Sequence, residues 1–228
     1  VSDPIGQGSR GGQFPEQDVT IAADAAQLGG SLIVPPGAGG IVLFAHGSGS
    51  GRFSPRNRYV ADVLNRAGLA TLLLDLLTEP ESNDRRLVFD IPFLADRLRV
   101  ATHWVENNPS TGNLAIGYFG ASTGAGAAVV AAAEEGRTIK AIVSRGGRPD
   151  LANGALGRIS APILLIVGGN DQPVIRLNEM AYSQILAPKD LVIIPGATHL
   201  FEEPGTLEEV ARLAGAWFTR YLQRQATA

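Results

Sequence analysis

The sequence predicts an α/β fold: a doubly wound, mostly parallel sheet with helices on both faces. Three observations point to it. Short apolar runs recur at 41–45, 69–74, 114–119, 141–144, 163–167 and 191–194, and strands covered on both faces read as such runs rather than as apolar–polar alternation. Helical patterns separate most of them. The chain of 228 residues suits one domain of this kind, and ligands in such sheets sit outside the carboxyl ends of the strands.

The elements follow in order. Residues 1–16 are rich in Gly, Ser, Gln and charge, with only Val1, Ile5 and Phe14 as sizeable apolar side chains. They read as a flexible arm before a single domain over 17–228. Residues 19–22 and 31–34 read as short strands of an edge hairpin around Gly29-Gly30. Residues 35–40 are a turn, 41–45 a buried strand, and 46–51 a glycine loop leading to a helix over about 55–67. The strand at 69–74 ends at Asp75. A helix over 89–107 is signalled by Asp90 as cap, Pro92 in the first turn and an apolar stripe of Leu94, Leu98, Ala101, Trp104 and Val105. Strand 114–119 runs through a tight turn into a small-residue helix over 125–135. Strands at 141–144, 163–167 and 191–194 follow, with a helix near 175–186 and a closing amphipathic helix over 206–223. The connection 145–162 is too short to hold a large lid.

Composition narrows the function classes. Apolar residues make up 45% and charged residues 18%, with a net charge of −3. Nothing in that balance directs the chain to nucleic acid or to an anionic membrane. No apolar run reaches the roughly 18 residues that a membrane-spanning helix needs. Cysteine is absent, which excludes disulfides, thiolate metal sites and a cysteine nucleophile. No histidine or carboxylate pair has metal-ligand spacing, so neither a metal nor an organic cofactor is expected. The chain starts at Val1 and its single methionine is Met180, which reads as a processed or trimmed form. A cytoplasmic location is expected; the oligomeric state is left open.

The chemistry concentrates at Gly120-Ala121-Ser122-Thr123-Gly124. A G-x-S-x-G pentapeptide between a strand and a helix is a nucleophile elbow. The turn is strained and needs small neighbours, and it aims the following helix N-terminus at developing negative charge. A serine hydroxyl needs a base, and the base needs an orienting carboxylate. In chain order Ser–Asp–His, Asp171 follows strand 163–167 and His199 follows strand 191–194, both on the rim that holds Ser122. Of the other two histidines, His103 lies within a helix and His46 lies upstream, where it reads as a loop-shaping residue. A developing oxyanion needs two backbone donors: the Thr123 amide and one from 46–51, for which Ser48 is chosen, with Gly47 or Gly49 if the loop register differs. Arg52, Arg56, Arg58, Arg145 and Arg148 also crowd this rim. Arg145 and Arg52 are candidate substrate-binding residues for an anionic group; the structural alternative is salt bridges to Asp62, Asp75 or Asp150.

With these residues in place, the chain resembles the dienelactone hydrolase family of α/β-hydrolases over about 18–222. The resemblance is carried by His46-Gly47-Ser48-Gly49-Ser50, by Gly117-Tyr118-Phe119-Gly120-Ala121-Ser122-Thr123-Gly124, by Ser144-Arg145-Gly146-Gly147-Arg148-Pro149-Asp150, and by Gly196-Ala197-Thr198-His199-Leu200-Phe201-Glu202. It implies a minimal hydrolase core with a triad at Ser122, Asp171 and His199. The namesake enzymes carry a cysteine in the elbow, where this chain has Ser122, and the departure implies a serine carboxylesterase acting on a small-molecule ester. Some similar proteins accompany or are fused to a phosphoribosyltransferase domain. Three other readings stay open: acyl transfer or perhydrolysis on the same triad, a nucleotide or phosphate binder on the glycine-rich turn, and a catalytically silent scaffold.

Overall fold

The computed structural model describes residues 14–223. Of the arm expected over 1–16, residues 1–13 lie outside the described residues. The last of that stretch is tied down, since both carboxylate oxygens of Glu16 accept from Arg58 Nη2.

Eight strands form one sheet in the order β1-β2-β4-β3-β5-β6-β7-β8. They are β1 Gln17–Ala23, β2 Ala26–Ile33, β3 Gly40–Ala45, β4 Ala70–Leu74, β5 Ala115–Ala121, β6 Ile139–Arg145, β7 Ile163–Gly168 and β8 Lys189–Ile194. From β4 to β8 every pairing is parallel, while β1–β2 and β2–β4 are antiparallel. The order reverses about β3, which pairs with β4 on one side and β5 on the other. The loops leaving β3 and β5 therefore rise side by side at the carboxyl edge, where ligands sit in such sheets.

The strand residues divide by parity between two layers. Ile41, Leu43, Leu72, Leu74, Ile142 and Leu165 point to one side, and Val42, Phe44, Leu73, Ala141, Val143 and Leu164 to the other. The first side packs on α4 (Ile91–Asn107) and α5 (Thr123–Glu135), the second on α1 (Pro55–Arg66) and α7 (Thr206–Leu222). Because both faces are covered, the strands need no polar alternate residues. Phe44 and Phe119 meet at 4.8 Å on the second side; truncating either to Ala removes about 3–5 kcal/mol by the usual cost of emptying an aromatic site.

Caps fix the helix starts. Asp90 accepts from the Phe93 amide at 3.1 Å and Ser54 from the Asn57 amide at 3.5 Å, each with Pro in the first turn that follows. The remaining long helix, α6 (Gln172–Gln184), begins directly after Asp171.

The edge hairpin differs from the sequence expectation. Its turn is at Asp24-Ala25, with Asp24 at φ 52°, and Gly29 and Gly30 lie inside β2 opposite Thr20 and Val19. Gly30 serves packing. A Cβ on Gly30 would stand 2.8 Å from Val19 Cγ2 and 3.1 Å from Leu72 Cδ1. Asp tolerates the left-handed conformation that the turn requires.

The connection from β4 to α4 holds two one-turn helices, α2 Glu79–Ser82 and α3 Arg85–Val88. Each rests on local capping: Thr78 and Glu81 form a reciprocal capping box, and Asp84 accepts from the Arg86 amide at 2.9 Å. Between β6 and β7 stands only a 3₁₀ segment, Pro149–Arg158. Among the described residues no helix is long and apolar enough to cross a membrane.

Candidate active site

Ser122 joins β5 to α5 with φ 50° and ψ −123°, a conformation that costs a non-glycine residue of order 1–3 kcal/mol and persists only where the surroundings enforce it. Here they do. The Ser122 amide donates to Arg145 O at 3.3 Å, and Ser122 O accepts from the amides of Ala125 and Arg148 at 3.1 and 3.0 Å. Gly124 must be glycine, because a Cβ there would lie 2.2 Å from Ala45 O. The elbow thus presses against the end of β3 and brings the 46–51 loop to Ser122. The Cβ position of Gly47 is 2.9 Å from Ser122 Cβ and 3.7 Å from Ser122 Oγ.

Asp171 and His199 come from the loops after β7 and β8. Those loops are laced together: Gly169 N donates to Ile194 O at 2.8 Å, Asn170 N to Ala197 O at 2.9 Å, and Asn170 Nδ2 to Gly196 O at 2.9 Å. Thr198 N donates to Glu203 Oε2 at 3.0 Å, bracing the histidine loop from its other end. The result is a hydrogen bond of 2.7 Å between His199 Nδ1 and Asp171 Oδ2. Asp171 is mostly buried and His199 reaches solvent, so the carboxylate orients the ring while Nε2 stays available. Gly146 connects this pair to the elbow, its Cβ position standing 3.6 Å from His199 Cε1. Among the described residues no hydrogen bond joins His199 to Ser122 Oγ; in unliganded sites such contacts are often long and tighten with substrate.

The oxyanion candidates are placed side by side. Thr123 is the first residue of α5, where an amide has no helical acceptor. The Ser48 amide, expected to face the substrate, instead donates to Thr123 Oγ1 at 3.1 Å. His46 shapes the loop. It is buried, its Nε2 accepts from the Leu76 amide at 3.0 Å, and its Nδ1–H is 2.9 Å from Gly47 O. Burial pulls its pKa below 6.5, outweighing the Gly47 carbonyl and the Asp75 charge, which raise it.

A cavity of about 590 Å³ opens beside the elbow, within the usual range for small-molecule sites. Gly47, Ser48 and Thr123 line the end nearest the elbow, Leu77, Val88 and Leu94 an apolar wall, and Phe53 also borders it; Ser122, Asp171 and His199 are not among the lining residues. The wall from α2, α3 and α4 was not read from the sequence. The only sequence signals for it were the Thr78–Glu81 capping pattern and Asp84.

The rim arginines separate. Arg52 is a correction: Nη1 donates to Asp18 Oδ1 at 2.8 Å and to Gly30 O at 2.9 Å, and Nε stands 3.3 Å from Asp75 Oδ2. It clamps the edge hairpin to the end of the 46–51 loop, and it is not among the residues lining the cavity. Arg148 forks onto Asp150 at 2.8 Å, Arg58 pairs with Glu16, and Arg56 lies 3.3 Å from Glu202. Arg145 has no carboxylate among the described residues. It is 7% exposed, donates through Nη2 to Asn57 Oδ1 at 3.1 Å, and leaves Nε without an acceptor. Burial, and next the charge of Arg56, lower its pKa to about 10.

The model of the dienelactone hydrolase family matches residues 62–223. The chain belongs to the dienelactone hydrolase family. The crystal structure of a dienelactone hydrolase from Anabaena variabilis is 60% identical and superposes with a TM-score of 0.91, covering 92% of this chain and all of that one. Est1E from Butyrivibrio proteoclasticus, at 18% identity and a TM-score of 0.76, covers 89% of this chain and 98% of its own. At that identity it shows the α/β-hydrolase fold alone. Two Mycobacterium tuberculosis proteins, from strains CDC 1551 and H37Rv, are each 56% identical over 207 residues and are named as proposed phosphoribosyl transferases. The match covers 91% of this chain and 47% of theirs, so the chain spans about half the length of these curated relatives. Fold and family together place the chain among the α/β-hydrolase-fold members of the dienelactone hydrolase family.

Proposed function

We propose that this family member is a serine hydrolase of carboxylic esters, acting on small soluble substrates through an acyl-enzyme. The observation that carries the reading is the 2.7 Å bond between Asp171 and His199, on loops flanking a serine in the strained elbow conformation. In this mechanism Ser122 Oγ attacks the ester carbonyl as its proton passes to His199 Nε2. The carbonyl electron pair collects on oxygen, opposite the start of α5. His199 then returns the proton to the leaving alcohol, and a water molecule, activated by the same imidazole, releases the acid. Asp171 keeps the proton of the resting ring on Nδ1 and stabilises the imidazolium. The serine, in place of the family's namesake cysteine, supports ordinary ester hydrolysis.

Arg145 is the candidate for an anionic group on the substrate, on the ground of its burial and charge; like Arg52 it is not among the residues lining the cavity. Among the described residues four of the five rim arginines have acid partners, and Arg145, the buried one, has none. An unpaired buried guanidinium is costly, and a substrate carboxylate would relieve that cost. The transferase name of the mycobacterial relatives is no part of this reading, because this chain matches about half of each.

The test is a fluorophosphonate label followed by peptide mapping. Covalent attachment at Ser122, lost in Ser122→Ala and strongly slowed in His199→Ala, is the expected result. A protein that hydrolyses no p-nitrophenyl ester and takes no label at Ser122 is not a serine esterase.

A further inference from the structure

The Ser48 amide was expected to bind the oxyanion directly, and the structure gives it another acceptor. It donates to Thr123 Oγ1 at 3.1 Å. A threonine hydroxyl has one proton and two lone pairs. With a lone pair engaged by Ser48, the proton of Thr123 is free to donate, and among the described hydrogen bonds nothing accepts it. Thr123 is 5% exposed and lines the cavity beside the elbow together with Gly47 and Ser48. Its backbone follows the nucleophile directly, and Gly47 brings the loop to within 3.7 Å of Ser122 Oγ as measured from its Cβ position. A buried donor with no acceptor, at the wall of the reaction cavity, is placed for charge that appears only during the reaction.

We propose that the Thr123 side chain is a catalytic oxyanion donor, with the Ser48 amide acting through it. The inference rests on the serine-hydrolase reading and assigns a further group to it. As the bond from Ser122 Oγ to the carbonyl carbon forms, the carbonyl electron pair moves onto oxygen. Thr123 then holds that oxygen with two donors from one residue, its backbone N–H and its Oγ1–H. The Ser48 N–H bonded to Oγ1 makes the hydroxyl a stronger donor, since linked hydrogen bonds polarise one another. No proton leaves Thr123 at any stage. The donors are fixed before the substrate arrives, the condition under which oxyanion contacts are most effective.

Two substitutions separate this arrangement from direct binding by Ser48. Thr123→Val keeps the shape and removes the hydroxyl, and Thr123→Ala removes both and frees the Ser48 amide. If the hydroxyl is the donor, both lower kcat on p-nitrophenyl acetate by about 10²-fold, the usual loss for one oxyanion donor, with KM changed little. Thr123→Ser recovers most of the rate. Affinity for a boronic acid, which forms a tetrahedral adduct on the nucleophile, falls in step with kcat in the Val and Ala variants and returns in the Ser variant. Thermal unfolding run alongside separates this pattern from loss of structure, and the Ala variant carries the test if the Val variant does not fold. Turnover by Thr123→Ala equal to or above wild type would mean that the freed Ser48 amide serves directly, and the proposal fails. Fluorophosphonate labelling of the unmodified protein distinguishes the two levels: labelling at Ser122 with unimpaired Thr123→Ala overturns only the Thr123 role, whereas no labelling overturns the hydrolase reading beneath it.

Discussion

His46 Nε2 accepts from the Leu76 amide at 3.0 Å, and this one bond joins the start of the 46–51 loop to the segment just after β4. It also sets the tautomer. A ring whose Nε2 accepts must carry its proton on Nδ1, which lies 2.9 Å from Gly47 O. Protonation would place a second N–H against the Leu76 N–H and a charge where burial already holds the pKa below 6.5. The sign of the linkage follows. The unfolded chain takes up a proton at His46 near its ordinary value of about 6.5, while the folded chain resists until lower pH. The stability that His46 contributes is therefore fully present above pH 6.5. It is lost as pH falls toward the folded value, at no more than about 1.4 kcal/mol per unit. Urea unfolding of wild type and His46→Gln at pH 7.5 and 5.5 checks this. The wild type should lose more stability than the variant over that interval, and equal losses would show that His46 is not the group responsible.

The triad should behave as a unit. Ser122→Ala and His199→Ala are each expected to lower kcat by roughly 10⁴ or more, on the pattern of other triads. Asp171→Asn should cost somewhat less. The double variant Ser122→Ala/His199→Ala should fall little below either single one. In the proposed mechanism His199 is the base, oriented by its 2.7 Å contact with Asp171. Near-normal ester turnover in His199→Ala, measured with p-nitrophenyl acetate, would remove it from that role.

Much of this site was legible because its signals are local. The elbow announces itself in five residues, and Asp171 and His199 each follow an apolar strand by a few positions. The packing of Gly30 was not legible: a Gly-Gly pair reads as a turn until β4 supplies Leu72 as a neighbour. Nor could the arginines be sorted, since pairs such as Arg52–Asp18 and Arg56–Glu202 join residues far apart in sequence. The one-turn helices α2 and α3 are too short for any periodicity, so the wall of the cavity was invisible although its caps were written in Thr78, Glu81 and Asp84.

Arg145 yields an independent expectation. A p-nitrophenyl hemiester with a free terminal carboxylate should be preferred over its neutral methyl ester at some chain length. By the usual 1.5–3 kcal/mol for a hydrogen bond to a charged group, the ratio of kcat/KM should reach about 10-fold or more. Arg145→Met should collapse that ratio, and Arg145→Lys should restore part of it. A ratio at or below one for hemisuccinate, hemiglutarate and hemiadipate alike would return Arg145 to a purely structural role beneath Phe201, whose ring centroid lies 6.0 Å from its guanidinium carbon.

Acyl-chain length tests the shape of the cavity. Its volume of about 590 Å³ is bounded by Leu77 and Val88 on the β4–α4 connection and by Leu94 on α4. The connection from β6 to β7, where a lid would stand, holds only the 3₁₀ segment Pro149–Arg158. Its Ala152, Ala155 and Leu156 are buried in the core instead of standing over the elbow. That apolar wall, and the lack of a lid between β6 and β7, favour short, dissolved esters. In a series of p-nitrophenyl esters from acetate to palmitate, kcat/KM should peak at short chains and fall steadily beyond them. Turnover should not jump as the substrate passes its solubility limit. Val88→Trp should shift the optimum toward acetate by narrowing the wall, and Leu94→Ala should shift it toward longer chains at a cost of about 2–5 kcal/mol in stability. An optimum at long chains with a rate jump at the solubility limit would mean that α2 and α3 move aside as a lid, and that the cavity of the free protein is not the one that receives substrate.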